Sequence, residues 1–192
     1  MRIPLTVVIA TAITATLVGV SACGNGSKSS APSSGSSTTT RPAISDYTTL
    51  LIKAGDIKAP DAFTAGPATK DPNGQQGATI TFTDQDHSHA IIDTIQILPD
   101  IEAAASALDS AKATHRETLL AKSLNAEVGV GGSTISGLSP DHSKSVTVLV
   151  FTEGKAMVTL EFDGPSFALA PPEFVTEVGQ KQDEAIKKGL GG

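Results

Sequence analysis

The sequence predicts an α+β fold, an antiparallel meander sheet covered by helices in a two-layer sandwich, and three observations carry that prediction. Ala78, Ile80 and Phe82 alternate with Thr79, Thr81 and Thr83, the period-two signature of a half-buried strand. Two apolar runs, Ser145 to Thr152 and Lys155 to Asp163, flank Glu153-Gly154 and read as a hairpin. Apolar residues at helical spacing follow Asp100 and again follow Pro171-Pro172. Antiparallel runs separated by helices give the order helix, two strands, helix, two or three strands, helix.

Element by element, Ser45 or Asp46 is placed to cap a short helix carrying Tyr47, Leu50 and Leu51. Gly55 would end it in the left-handed conformation, with Ile57 folding back. Pro60 to Gly77 is dense in turn formers and reads as a surface loop. The strand from Ala78 pairs with a second, Ala90 to Leu98, across "DQDHSH", with Ile91, Ile95 and Ile97 on one face and Ile92 and Leu98 on the other. Pro99 and Asp100 open the clearest helix: Ile101, Ala104, Ala105, Leu108, Ala111 and Leu119 form its stripe, and Glu102 suits its positive end. Glu127 to Gly137 is glycine-rich and predicts a weak strand or irregular edge.

In the hairpin, Val146, Val148 and Val150 share a core face with Ala156, Val158, Leu160 and Phe162 only across a loop of odd length, so Thr152-Glu153-Gly154 is the expected loop. That register leaves Leu149, Phe151 and Met157 on the opposite, partly covered face. The last helix carries Phe174, Val175, Val178, Ala185 and Ile186, with Gly189 as its stop.

Composition narrows the function classes. A formal net charge of -6 with no basic block offers nothing to a phosphate backbone, so nucleic acid is not an expected partner. One cysteine forms no intramolecular disulfide, and with four histidines it makes a structural zinc site hard to assemble. With no tryptophan and a single tyrosine, stacking platforms for sugars or bases are not expected. No Gly-x-Ser-x-Gly elbow or Walker loop occurs, and "GVGG", Gly129 to Gly132, neither follows a buried strand nor opens a helix. No cofactor and no enzymatic activity are therefore expected.

The N-terminal residues give an address. Arg2 precedes an uncharged run from Ile3 to Ala22, long enough to cross a bilayer but placed and flanked as an export signal, residues 1–22. "VSAC", Val20 to Cys23, resembles the lipobox of bacterial lipoproteins, in which the cysteine receives a diacylglycerol before cleavage. That resemblance implies a mature chain starting at lipidated Cys23, a membrane partner through the anchor and a place on the outer face of the cytoplasmic membrane. Residues 23–44 then form a Ser/Thr/Gly/Pro tether that cannot bury enough surface to fold and spans roughly 25 Å as a coil. The folded domain is 45–190, with 191–192 a tail.

"LLIKAGDI", "ILPDIEAAASALDSAKA", "FTEGKAMVTLEF" and "KQDEAIKKGL" resemble the exported domain of small actinobacterial, including mycobacterial, lipoproteins, some of them similar to extracellular sensor domains of membrane kinases. The resemblance implies a binding or sensor-like module and brings no catalytic residues; the paired cysteines of the kinase sensors are missing here.

Three kinds of site remain as expectations. Asp84, Asp86, His87 and His89 gather two carboxylates and two imidazoles within six residues, a candidate for zinc, copper or nickel, against which stands the reading of a solvated turn, favoured by the recurrence of "DHS" at Asp141 to Ser143. Leu149, Phe151 and Met157, if exposed, form a face for an envelope protein. If helices and sheet instead separate around a cavity, the aliphatic lining suits a lipid ligand. His115 borders the long helix's stripe and reads as the edge of a core, and serines without an adjacent base leave a hydrolase as the remotest alternative.

Overall fold

The computed structural model describes residues 46–191, so the expected signal segment, Cys23 and the expected tether lie outside the described residues. Eight strands form one antiparallel sheet: β1 (Thr64–Ala65), β2 (Thr69–Lys70), β3 (Gly77–Thr83), β4 (Ala90–Ile97), β5 (Ser123–Asn125), β6 (Val130–Leu138), β7 (Lys144–Glu153) and β8 (Ala156–Pro165). Their order is β1-β3-β4-β8-β7-β6-β5, with β2 also on β3. Two helices complete the α+β architecture, α1 (Ile101–Thr118) and α2 (Pro172–Leu190).

The chain makes two meanders, β3-β4 and β5-β6-β7-β8, zipped together where β4 pairs with β8 from Ala90↔Asp163 to Ile97↔Ala156. Helix α1 links them, capped by Asp100, whose side chain accepts the Ala103 N–H. It crosses β8, β7 and β6 to reach the far edge.

The β7-β8 turn has two residues rather than the expected three, because Glu153 pairs with Ala156. Gly154, at φ 55, takes the first central position, where a type II′ turn needs a positive φ. Every register assignment shifts with it. Val146, Val148 and Val150 face α1, packing with Leu108, Leu119 and Ile135. Leu149 and Phe151 face the opposite way, into the core built by Ile91, Ile95, Val158, Leu160, Val175, Val178 and Ile186. A helix thus lies on each face of the sheet, one layer more than the sandwich the sequence suggested. With both faces buried, β7 is apolar on both sides, and alternation no longer discriminates between registers.

Smaller departures have local causes. The N-terminal helix is two 3-10 turns, Tyr47–Leu50 and Ala54–Asp56, with Asp46 capping the first and Gly55 lying inside the second rather than ending a helix. The Pro60–Gly77 loop contributes β1 and β2 as edge strands. Ile101 and Ala105 leave the α1 stripe, of which Ala104 and Leu108 are buried. "GVGG" spans a bulge in β6 between Val130 and Ser133. The left-handed cap of α2 is Gly191, while Gly189 packs against Leu50.

Candidate functional site

Register places the β3-β4 turn, the β6-β7 turn, the exit of β8 and the start of α2 at one end of the sheet. Here the recurrent Asp-His-Ser is one turn built twice. Asp84 N donates to His89 O and His87 N to Asp84 O, just as Ser139 N donates to Lys144 O and His142 N to Ser139 O. In each, the central aspartate accepts the N–H two residues on, Ser88 to Asp86 and Ser143 to Asp141, and the histidine sits at φ 59.

Three of the four candidate metal ligands, Asp84, Asp86 and His89, are engaged within this turn. The buried Asp84 carboxylate takes His89 Nδ1 at 2.7 Å, the Ser88 hydroxyl at 3.1 Å and the His89 amide. Burial pushes its pKa up, but the His89 amide and ring and the Ser88 hydroxyl outweigh that and lower it to about 2. Asp86 holds the Ser88 amide. Among the described residues no three His, Cys, Asp or Glu side chains converge as a metal ion requires.

The expected partner face does not exist as one surface. Leu149 and Phe151 are fully buried toward α2, and Met157 packs on the α1 side. His115 is half-buried, and desolvation lowers its pKa.

What the sequence did not reveal is a groove beside the first turns of α2. Along the α2-facing side of β7 the side chains run Ser145, Thr147, Leu149, Phe151. The large pair fills the space beneath the middle of α2, where Gly179 allows the helix to touch the sheet. Nearer the helix start, small side chains leave a wedge of about 360 Å³ between Val175 and Thr176 on one wall, Leu124 to Glu127 on the other, and Thr134, Ser136 and Thr147 on the floor. Ser136 and Thr147 are cross-strand partners on that floor. Thr147 is only 3% exposed, and its Oγ1 has no hydrogen-bond partner. Hydroxyl residues at alternate positions, Ser145 and Thr147 on β7 and Thr134 and Ser136 on β6, are the available signal, and only the pairing of β6 with β7 brings them together.

On the other flank of α2 lies a smaller cup of about 140 Å³, lined by Phe63, Ile91, Phe162, Phe174 and His89. Phe162 and Phe174 meet edge to face, with ring centres 5.8 Å apart.

The fold has a solved counterpart. It is similar to the extracellular domain of PknH from Mycobacterium tuberculosis, with a TM-score of 0.55, 9% sequence identity, and coverage of 74% of this chain and 95% of that one. At that identity the likeness is one of fold. No protein family model matches the chain, and no curated protein matches it. No helix among the described residues is long and apolar enough to cross a membrane.

Proposed function

We propose that the chain is a lipid-anchored module of the cell envelope, held through Cys23, that binds a small ligand in the manner of a sensor domain and catalyses no reaction on it. The observation that carries the binding role is the groove floored by Thr134, Ser136 and Thr147, where a buried hydroxyl is left without a protein partner. The fold likeness to a kinase's extracellular domain supports an exported, sensor-like role, and Val20 to Cys23 supports the anchor. A non-enzymatic reading is supported by the Asp84–His89 pair, whose hydrogen bonds serve the hairpin turn. Carriage of a lipid has less support, since the apolar cup of about 140 Å³ is smaller than the roughly 300–1,000 Å³ usual for a ligand site.

Fractionation of a lipidating host tests the anchor. The parent is expected with membranes, carrying a diacylglyceryl group on Cys23, and Cys23→Ala in the soluble fraction; equal partition of the two refutes it. A fragment screen of the purified full chain by amide chemical shift tests the groove, which is expected to respond at Thr134, Ser136 and Thr147; a silent floor refutes that part.

A further inference from the structure

We propose that the groove between α2 and the β5-β6 edge takes a neutral saccharide unit. The inference rests on the groove being the ligand site and adds the class of ligand. Its floor is three hydroxyls, Thr134, Ser136 and Thr147, each able both to donate and to accept. An apolar occupant would leave all three unpaired away from water, whereas sugar hydroxyls, themselves donors and acceptors, would pair with them. Thr147 is the telling member: it is 3% exposed, lines the groove, and nothing in the protein claims its Oγ1.

Charge removes the other polar classes. Pro172 and Val175, in the first turn of α2, border the groove with their side chains. Glu127, the single charged residue of the lining, and a net charge of -6 oppose a phosphate or a carboxylate there. A neutral hydroxyl meets no such repulsion, and its proton suits the Glu127 carboxylate. No aromatic ring lines the groove, so recognition would come from hydroxyl pairing, with Val175 and Leu124 supplying contact for the C–H face of a ring. The volume, about 360 Å³, lies within the range of small-molecule sites, roughly 300–1,000 Å³.

The test titrates glucose, mannose, galactose and maltose into the isotope-labelled full chain, with glucuronate and a short-chain fatty acid as polar and apolar anionic probes. Saturable amide shifts centred on Thr134, Ser136 and Thr147 with at least one neutral sugar are expected. Thr147→Val keeps the shape and removes only the hydroxyl. It should fold with a melting temperature at or above the parent's and bind that sugar about five- to tenfold more weakly, the loss of one hydrogen bond. Groove shifts with glucuronate or the fatty acid but with no neutral sugar overturn the saccharide assignment while leaving a ligand groove; no response to any probe overturns both. Undiminished binding by folded Thr147→Val overturns the pairing on which the assignment stands.

Discussion

Gly179 of α2 touches Leu149 of β7 so closely that a β-carbon at 179 would overlap Leu149 Cδ2 and crowd Val128 Cγ1 at 3.2 Å. That contact is where helix and sheet meet, and it bounds the groove that opens toward the start of the helix. Leu149 and Val128 are both buried, so neither has free space to move into. Gly179→Ala is expected to destabilise the domain by about 1–3 kcal/mol through overpacking, despite alanine's better helix propensity. Urea unfolding checks this, and an unchanged or raised midpoint would refute the tight contact.

Asp93 sits in the α2-facing core between Ile80 and Leu160, 0% exposed, and neither carboxylate oxygen has a hydrogen-bond partner. Burial pushes its pKa up to about 8, tempered by the nearby Ile52 amide. The folded form therefore keeps a proton that the unfolded chain releases near 3.8. Stability on this account is greatest below the lower value, falls as pH rises toward 8, and levels once both forms are ionised. Asp93→Asn, which cannot ionise, should flatten that decline and be more stable than the parent at pH 8. Melting temperatures measured from pH 4 to pH 9 decide it, parallel profiles being the refuting result.

Gln182 is fully buried on α2 and grips the N-terminal segment at both ends of its amide, accepting Ile52 N–H at 2.9 Å and donating to Leu50 O at 2.8 Å. Gln182→Leu would leave two backbone groups unpaired in the core. A loss of about 2–4 kcal/mol is expected, with faster amide exchange confined first to Leu50 through Ile57. Exchange that stays unchanged in that segment would show that it is held by its apolar contacts alone.

The Asp84–His89 contact makes the opposite prediction about pH. With Asp84 lowered to about 2 in the folded form, its contribution is present above about 3.8 and is lost as pH falls toward 2. His89→Ala should cost about 1 kcal/mol at neutral pH, since His89 is half exposed, and should weaken the acid dependence. Unfolding curves at pH 2.5 and pH 6 measure both effects, and the prediction fails if the variant loses nothing at pH 6.

Much of the fold was legible in short stretches. The β3-β4 hairpin, α1 with its Asp100 cap and the Pro172 start of α2 all lie where alternation, helical spacing and capping residues put them, because each signal acts within a few residues of itself. Asp93 falls between Ile91 and Ile95 on the core-facing side of β4, and only the packing of Leu50 to Ile52 over that face makes it a buried acid. The β7-β8 register was not legible. Matching the Val set to Ala156, Val158, Leu160 and Phe162 favours a three-residue turn, but a strand buried on both sides has no single core face to match; the observed register moves Met157 away from Leu149 and Phe151, and α2 covers those two.

The sequence by itself determined the α+β class, the order of most elements and the pairing of β3 with β4, since these follow from periodicity and turn chemistry close along the chain. Only the tertiary structure decided that both sheet faces are covered, that β8 lies between β4 and β7, and that Thr134, Ser136 and Thr147 line one groove beside α2. These depend on contacts between strands distant in sequence, and a one-residue change of register moves every side chain to the other face.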